Sequence, residues 1–128
     1  MALEDTTARL ASGPNFAVLT TMMPDGTAQS HVMWVDTDGD NILVNTDPLR
    51  QKARNVERDP RVTVTVLDRQ DPYRFSEVRG TVIDRIDGDR ARDHIDELSR
   101  KYHGHDYTNP TPNGRVILVI RPDRELVR

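Results

Sequence analysis

Alternation of apolar and polar residues dominates this chain. Val62, Val64 and Val66 alternate with Thr63, Thr65 and Leu67, the period of two expected of a strand with unlike faces. Residues 16–23 are apolar and β-branched enough for another strand. Pro24-Asp25-Gly26-Thr27 supplies a tight turn, so the strand over 28–35 should return antiparallel. A second, acidic turn, Asp36-Thr37-Asp38-Gly39-Asp40, precedes a strand over 41–46, and these three strands read as a meander. Residues 68–72 read as a loop. Residues 73–84 resume the extended pattern, with Gly80 marking a bulge or a close backbone approach. The last strand runs over 115–121 with VILVI at its heart, and Pro122 is expected to break it.

Helical spacing interrupts this pattern three times. Leu3, Thr7 and Leu10 share one side of a short helix over 3–11, closed by Gly13 and Pro14. Asp47 is a good N-cap and Pro48 a good first residue for a second helix, which should stop near Arg58 because Asp59 precedes Pro60. Leu49, Ala53 and Val56 form its apolar stripe, while Arg50, Gln51, Lys52 and Arg54 fill the other faces. A third helix opens at Asp87-Gly88-Asp89 and ends near Gly104. Its Ala91, Ile95, Leu98 and Tyr102 lie on one face, and His94 falls on the polar side, where it should be solvated. The order is a leading helix, then β-β-β-α-β-β-α-β, with too few interstrand helices for a doubly wound parallel sheet. A single domain over 1–128 follows: mainly β, a mostly antiparallel barrel flanked by helices.

Composition narrows the function. The 128 residues are long enough to bury a real core, and the net charge of −3 argues against a general nucleic-acid binder. The absence of cysteine excludes disulfides, thiolate metal sites and thiol nucleophiles. No apolar run approaches the roughly 18 residues of a membrane span, and MALEDTTARL is unlike a signal peptide. The expectation is a cytoplasmic protein with no nucleic-acid or membrane partner.

Candidate chemistry gathers at the second helix. A helix N-terminus offers unpaired N–H groups and partial positive charge; Thr46 adds a hydroxyl before it, and Arg50 and Lys52 lie in its first turns. Such a group can seat a phosphate, although surface helices also carry arginine and lysine merely to pair with neighbours such as Glu57 and Asp59. Of the four histidines, only His103 and His105 are close in sequence, without the acidic or cysteine company of a zinc site. Asp36, Asp38 and Asp40 resemble part of a calcium loop but lack its closing glutamate. No P-loop, GxGxxG or nucleophile elbow occurs. There remains Ser30-His31-Val32-Met33-Trp34-Val35, a strand carrying the only tryptophan. A core strand explains Val32 and Trp34 but leaves His31 and Met33 on the opposite face, and a flat ring could lie along it.

The run NTDPLRQKARNVERDPRVTVTV, preceded by QSHVMWV and followed by EVRGTVI and RVILVIRPD, resembles the pyridoxamine 5'-phosphate oxidase-like split β-barrel superfamily. More narrowly, it is similar to its small actinobacterial members that use the deazaflavin coenzyme F420. The resemblance covers nearly the whole chain. It implies an FMN-binding-like split barrel and an F420-dependent oxidoreductase that passes a hydride to a small conjugated acceptor. The cofactor phosphate would be held at Asn45, Thr46, Arg50, Gln51 and Lys52, with the ring against Ser30, His31, Val32, Met33, Trp34 and Val35. It also implies a homodimer with sites at the subunit interface. Ser30 and Val35 stand where the vitamin B6 oxidases carry arginine and lysine, which points away from that vitamin and from FMN toward F420. An FMN flavoprotein of the same fold and a cofactor-binding protein without turnover are the alternatives. No metal is implied and no catalytic acid is singled out; His31 reads as a wall residue and Arg79 as an ion-pair partner on a strand face. The substrate pocket should draw on loops 68–75 and 103–113.

Overall fold

In a computed structural model, which describes residues 2–128, the alternating segments become one antiparallel sheet of seven strands. The elements are α1 (Asp5–Ser12), β1 (Phe16–Met22), β2 (Ala28–Trp34), β3 (Asp36–Thr37), β4 (Ile42–Thr46), α2 (Gln51–Arg58), β5 (Arg61–Leu67), β6 (Phe75–Ile86), α3 (Gly88–His103) and β7 (Val116–Val127). The strand order is β2-β1-β5-β6-β7-β4-β3. The inward positions of the alternation, including Ala17, Leu19, Val62, Val64, Val66, Val78, Leu118 and Ile120, form the main core with Leu3, Leu10 and Ala11 beneath α1.

The expected meander is only half present. β1 and β2 pair as a hairpin, but β4 pairs with β7 at the far side of the sheet. β2 and β3 lie at opposite ends of the strand order, yet only Val35 separates them along the chain. One intervening residue spans about 7 Å between its neighbours' Cα atoms at most. The sheet must therefore curl until its two ends meet, and the result is a barrel split between β2 and the β3–β4 edge.

Val35 is the point of closure, and α3 holds it. Its side chain is buried in the core, and its backbone groups are bound by side chains. The Val35 N–H donates to the Tyr102 hydroxyl at 3.1 Å, while that hydroxyl donates to the Asn15 carbonyl. The Lys101 ammonium donates to the Val35 carbonyl at 2.5 Å and to the Ala11 carbonyl at 3.2 Å. The crossing backbone is thus satisfied at the moment the chain changes edges. Burial pushes the Tyr102 phenol up to about 12, against the hydrogen bond from Val35. Burial pushes the Lys101 ammonium down, with Asp36 opposing it.

Three boundaries differ from the sequence pattern. α2 begins at Gln51 rather than Pro48, because Asp47 to Arg50 close a turn instead. The Asp47 carboxylate accepts the Leu49 N–H at 2.8 Å, and the Asp47 carbonyl accepts the Arg50 N–H at 3.1 Å. Leu49 is consequently 64% exposed and outside the helix's apolar stripe. β7 does not break at Pro122 but continues to Val127. Pro122 faces Gly80 at a register shift, where the ladder is already irregular and a missing N–H is tolerated. His94, expected in solvent, is fully buried; Asn45 and Asp36 supply it with polar partners. The acidic turn contains the short β3, and Asp38 accepts the N–H groups of Asp40 and Asn41 there.

Two stability tests follow from this frame. A Cβ on Gly80 would lie 2.5 Å from the Arg121 carbonyl oxygen and 2.8 Å from Ile120 Cγ2. Gly80→Ala should therefore cost roughly 1–3 kcal/mol or more in chemical denaturation, since backbone must move to admit the methyl group. Tyr102→Phe leaves the Asn15 carbonyl without its donor and the Val35 N–H without its acceptor, a loss of about 1–3 kcal/mol. The fold favours the neutral phenol, so Tyr102's contribution is complete below its ordinary value of 10.0 and fades as pH rises toward about 12. Lys101 acts in the opposite direction. The difference in stability between wild type and Tyr102→Phe should thus shrink between pH 10 and 12, and a pH-independent difference would contradict the account.

Candidate functional site

β2 ends the sheet on one side, so one of its edges is unpaired by any strand of the same sheet. Along β2, His31 and Met33 point to one face and Val32 and Trp34 to the other. Met33 packs against the core, whereas Val32 is 70% exposed. All four line one cleft of about 850 Å³. The cleft therefore wraps the free edge of β2 and takes in both of its faces.

Two chemistries line it. The end of β4, the turn after it and the first turn of α2 bring Thr46, Asp47, Arg50 and Lys52 together with Arg115, which precedes β7. Phe16, Trp34, His103, His105 and Tyr107 line it as well, and Tyr107 lies beneath the Arg115 guanidinium. Trp34 is fixed from three sides: it stacks on Tyr102 at 5.0 Å between ring centres, and His103 and Tyr107 meet it edge-on at 5.2 Å and 6.2 Å. The result is a cationic seat joined by a strand edge to an aromatic wall.

The cationic seat is short of negative charge. Burial pushes the Lys52 ammonium down, and the neighbouring Arg50 and Arg115 push it the same way. Arg115 is also pushed down, chiefly by burial, although Tyr107 and Asp47 oppose this. Asp47 is the one carboxylate lining the cleft. The Leu49 N–H holds it below the usual carboxylate range against slight burial, with help from Asn113, Arg115 and Arg50. Three cations thus face one anion. Lys52 Nζ reaches His31 Nδ1 at 3.2 Å; an ammonium has no lone pair, so this ring nitrogen accepts.

A buried chain of hydrogen bonds stands behind the seat. Arg115 Nε donates to Asn45 Oδ1 at 2.8 Å and Arg115 Nη2 to the Asn45 carbonyl at 3.3 Å. Asn45 Nδ2 donates to the Ala91 carbonyl at 2.9 Å and lies 3.1 Å from His94 Nδ1. His94 Nε2 lies 2.9 Å from Asp36 Oδ2. Burial pushes the Asp36 carboxyl up, but hydrogen bonds from His94 and the Thr37 N–H, with the charge of Lys101, outweigh it and hold the group below its ordinary value.

Of the residues expected to hold a cofactor, His31, Val32, Met33, Trp34, Asn45, Thr46, Arg50 and Lys52 line this cleft. Three are placed elsewhere. The Ser30 hydroxyl is within 2.8 Å of Thr20 Oγ1 on the hairpin surface, and the Val35 side chain is in the core. Gln51 donates to Asn55 Oδ1 at 2.8 Å, while Asn55 Nδ2 donates to Thr21 Oγ1 at 3.0 Å, so Gln51 helps anchor α2 to β1. Arg79 pairs with Glu77 at 3.1 Å. The pattern reading did not single out Arg115, which it placed at the start of the last strand, or Ser99, and it gave Phe16 to a strand and Ile95 and Leu98 to the apolar face of a helix; all of these line the cleft. Loop 103–113 contributes as expected through His103, His105, Tyr107, Thr108 and Asn109, whereas loop 68–75 does not reach the cleft. Among the described residues, no three His, Cys, Asp or Glu side chains gather as metal ligands, and no helix is long and apolar enough to cross a membrane.

Comparison with known proteins agrees with this architecture. A solved F420 reductase superimposes with a TM-score of 0.83 at 33% identity, covering 97% of this chain and 98% of its own. A conserved hypothetical protein from Mycobacterium tuberculosis shares the fold at a TM-score of 0.72 and 24% identity, with 98% and 84% of the two chains covered. General stress protein 26 from Bacillus anthracis does so at 0.72 and 22%, with 94% and 89% covered. The search of curated proteins gave no significant match. The sequence signature of pyridoxamine 5'-phosphate oxidase spans residues 3–127, and the chain belongs to that family.

Proposed function

We propose that this protein is an F420-dependent oxidoreductase acting on a small conjugated acceptor. The observation that carries the reading is the excess of cations in the cleft: Arg50, Lys52 and Arg115 converge with Asp47 as the single carboxylate. A cluster of this kind favours an anionic group, and charge-assisted hydrogen bonds to a phosphate are among the stronger polar contacts. The residues present fit the deazaflavin: Thr46, Arg50, Lys52 and Arg115 would hold its phosphate-bearing part, and the edge of β2 from His31 to Trp34 would line its ring. The similarity to an F420 reductase at 33% identity over 97% of the chain supports the choice.

The bound deazaflavin supplies hydride transfer between its ring and the acceptor. The protein's own contribution is position and environment. Trp34, held by Tyr102, His103 and Tyr107, gives a fixed apolar wall against which a flat acceptor can stack. Lys52 and Arg115, half-buried and mutually repelling, gain most from an anion that relieves their repulsion. FMN is the second reading, favoured by the family signature over residues 3–127. Its phosphate would use the same seat.

Exposed apolar side chains near the cleft favour a homodimer. Val32 and Phe16 are 70% and 40% exposed and both line it, an arrangement suited to a second subunit that completes the site.

Equilibrium binding to F420 and to FMN, side by side, tests the cofactor. F420 should bind at least tenfold more tightly, and a preference for FMN would overturn the assignment while leaving the seat in place. Lys52→Ala should weaken F420 binding by roughly 1.5–3 kcal/mol, the worth of a lost charge-assisted contact. Unchanged affinity in that variant would remove Lys52 from the seat. In sedimentation the chain should run as a dimer, and Val32→Glu should shift it toward monomer; a monomeric wild type would refute the shared site.

A further inference from the structure

His94 is the one histidine buried completely, it does not itself line the cleft, and no step of the proposed reaction uses it. The hydrogen bonds around it nevertheless admit only one arrangement. Arg115 has no acceptor atom, so Asn45 must turn its amide oxygen toward Arg115 Nε at 2.8 Å. The two N–H groups of that amide then point away from Arg115. One meets the Ala91 carbonyl at 2.9 Å and the other meets His94 Nδ1 at 3.1 Å. His94 Nδ1 must therefore carry a lone pair, and Nε2 carries the proton it donates to Asp36 Oδ2 at 2.9 Å. The other carboxylate oxygen of Asp36 accepts the Thr37 N–H at 2.9 Å. Each contact along Asp36, His94, Asn45 and Arg115 thereby pairs one donor with one acceptor, and reversing any member leaves two donors or two acceptors face to face.

This chain ends at the cleft. Arg115 has five N–H donors, commits two to Asn45, and lines the cationic seat. Its guanidinium also lies over the Tyr107 ring at 5.6 Å, so both its plane and its edge are fixed. Resting on the cofactor reading above, we propose that His94 is a positioning residue: with Asp36 behind it, it fixes the Asn45 amide, and through that amide aims the free donors of Arg115 at the anionic group in the cleft. Polar pairs of this kind hold side chains in one orientation because the alternative buries unpaired groups.

Two substitutions separate positioning from mere packing. His94→Asn keeps an oxygen near the place of Nδ1 and so keeps the acceptor for Asn45, while it gives up Asp36. His94→Gln reaches Asp36 but presents nothing to Asn45. Both enlarge the same buried site, so both should lower the melting temperature by similar amounts. Affinity for F420 should split: within about twofold of wild type in His94→Asn, and weakened about tenfold in His94→Gln. Equal losses in the two variants, or no loss in either, would overturn the proposal. A second readout needs no cofactor. In ¹⁵N spectra of the ligand-free protein, His94 should appear as the neutral form protonated at Nε2. The slowly exchanging Arg115 Nε–H signal should persist in His94→Asn and shift and broaden in His94→Gln. If wild type fails to bind F420 but these signals behave as stated, the cofactor reading falls and the positioning chain stands. An Arg115 signal indifferent to His94→Gln sinks the positioning role whatever binds.

Discussion

The whole architecture depends on one residue having to bridge the two ends of a sheet. Between Trp34 in β2 and Asp36 in β3 there is only Val35, and the sheet places those strands at opposite ends of its order. Curling the sheet brings them together but strips Val35's backbone of ordinary ladder partners. A buried N–H and carbonyl cannot be left without partners at that point. Tyr102 and Lys101, adjacent in the last turns of α3, supply them. Their burial is unfavourable for Lys101's charge, and the cost is accepted because an ammonium can serve two carbonyls, those of Val35 and Ala11, at once.

Closure also makes the cleft. A flat sheet would give β2 one solvated edge and two separate faces. Curled, the sheet carries the end of β4 and the turn after it around to meet β2, so that Lys52 reaches His31. The same closure sets α3 alongside, where Trp34 stacks on Tyr102. Charge and aromatic surface, distant along the chain, then share one space. Burial first, and then neighbouring positive charge, pushes Lys52 and Arg115 down there, and an anion beside them would offset both.

Much of this was legible in sequence because it depends on local rules. Alternating Val and Thr over 62–67 located β5, the Ala91, Ile95, Leu98 and Tyr102 stripe located α3, and Gly80 marked a place where only hydrogen fits, as the 2.5 Å approach of Arg121's carbonyl makes plain. What failed depends on distant partners. Nothing near Asp36 says that the chain changes edges after Val35, so three consecutive strands read as a meander. Pro122 reads as a stop until Gly80 is seen opposite it. His94 reads as solvated because helical periodicity ranks it polar; its burial rests on Asn45 and Asp36, 49 and 58 positions away. Of the residues singled out around the second helix, Thr46, Arg50 and Lys52 line the cleft, whereas Gln51, their neighbour, faces Asn55.

The two roles of α3 belong to one device. Tyr102 and Lys101 secure the crossing at Val35, and one residue further on Asp36 receives His94 from the same helix. The barrel's closure and the aim of Arg115 are therefore set by consecutive residues of the chain, Val35 and Asp36, against one face of a single helix. If the crossing loosened, Asp36 would leave His94, the ring would lose the partner that dictates its protonated nitrogen, and the Asn45 amide would be free to turn. The cationic seat would keep its charges but lose their direction. Placing Asp36 directly after Val35 makes a correctly closed barrel the condition for a correctly aimed guanidinium, so that, by linkage, an anion bound at the seat would stabilise closure in return.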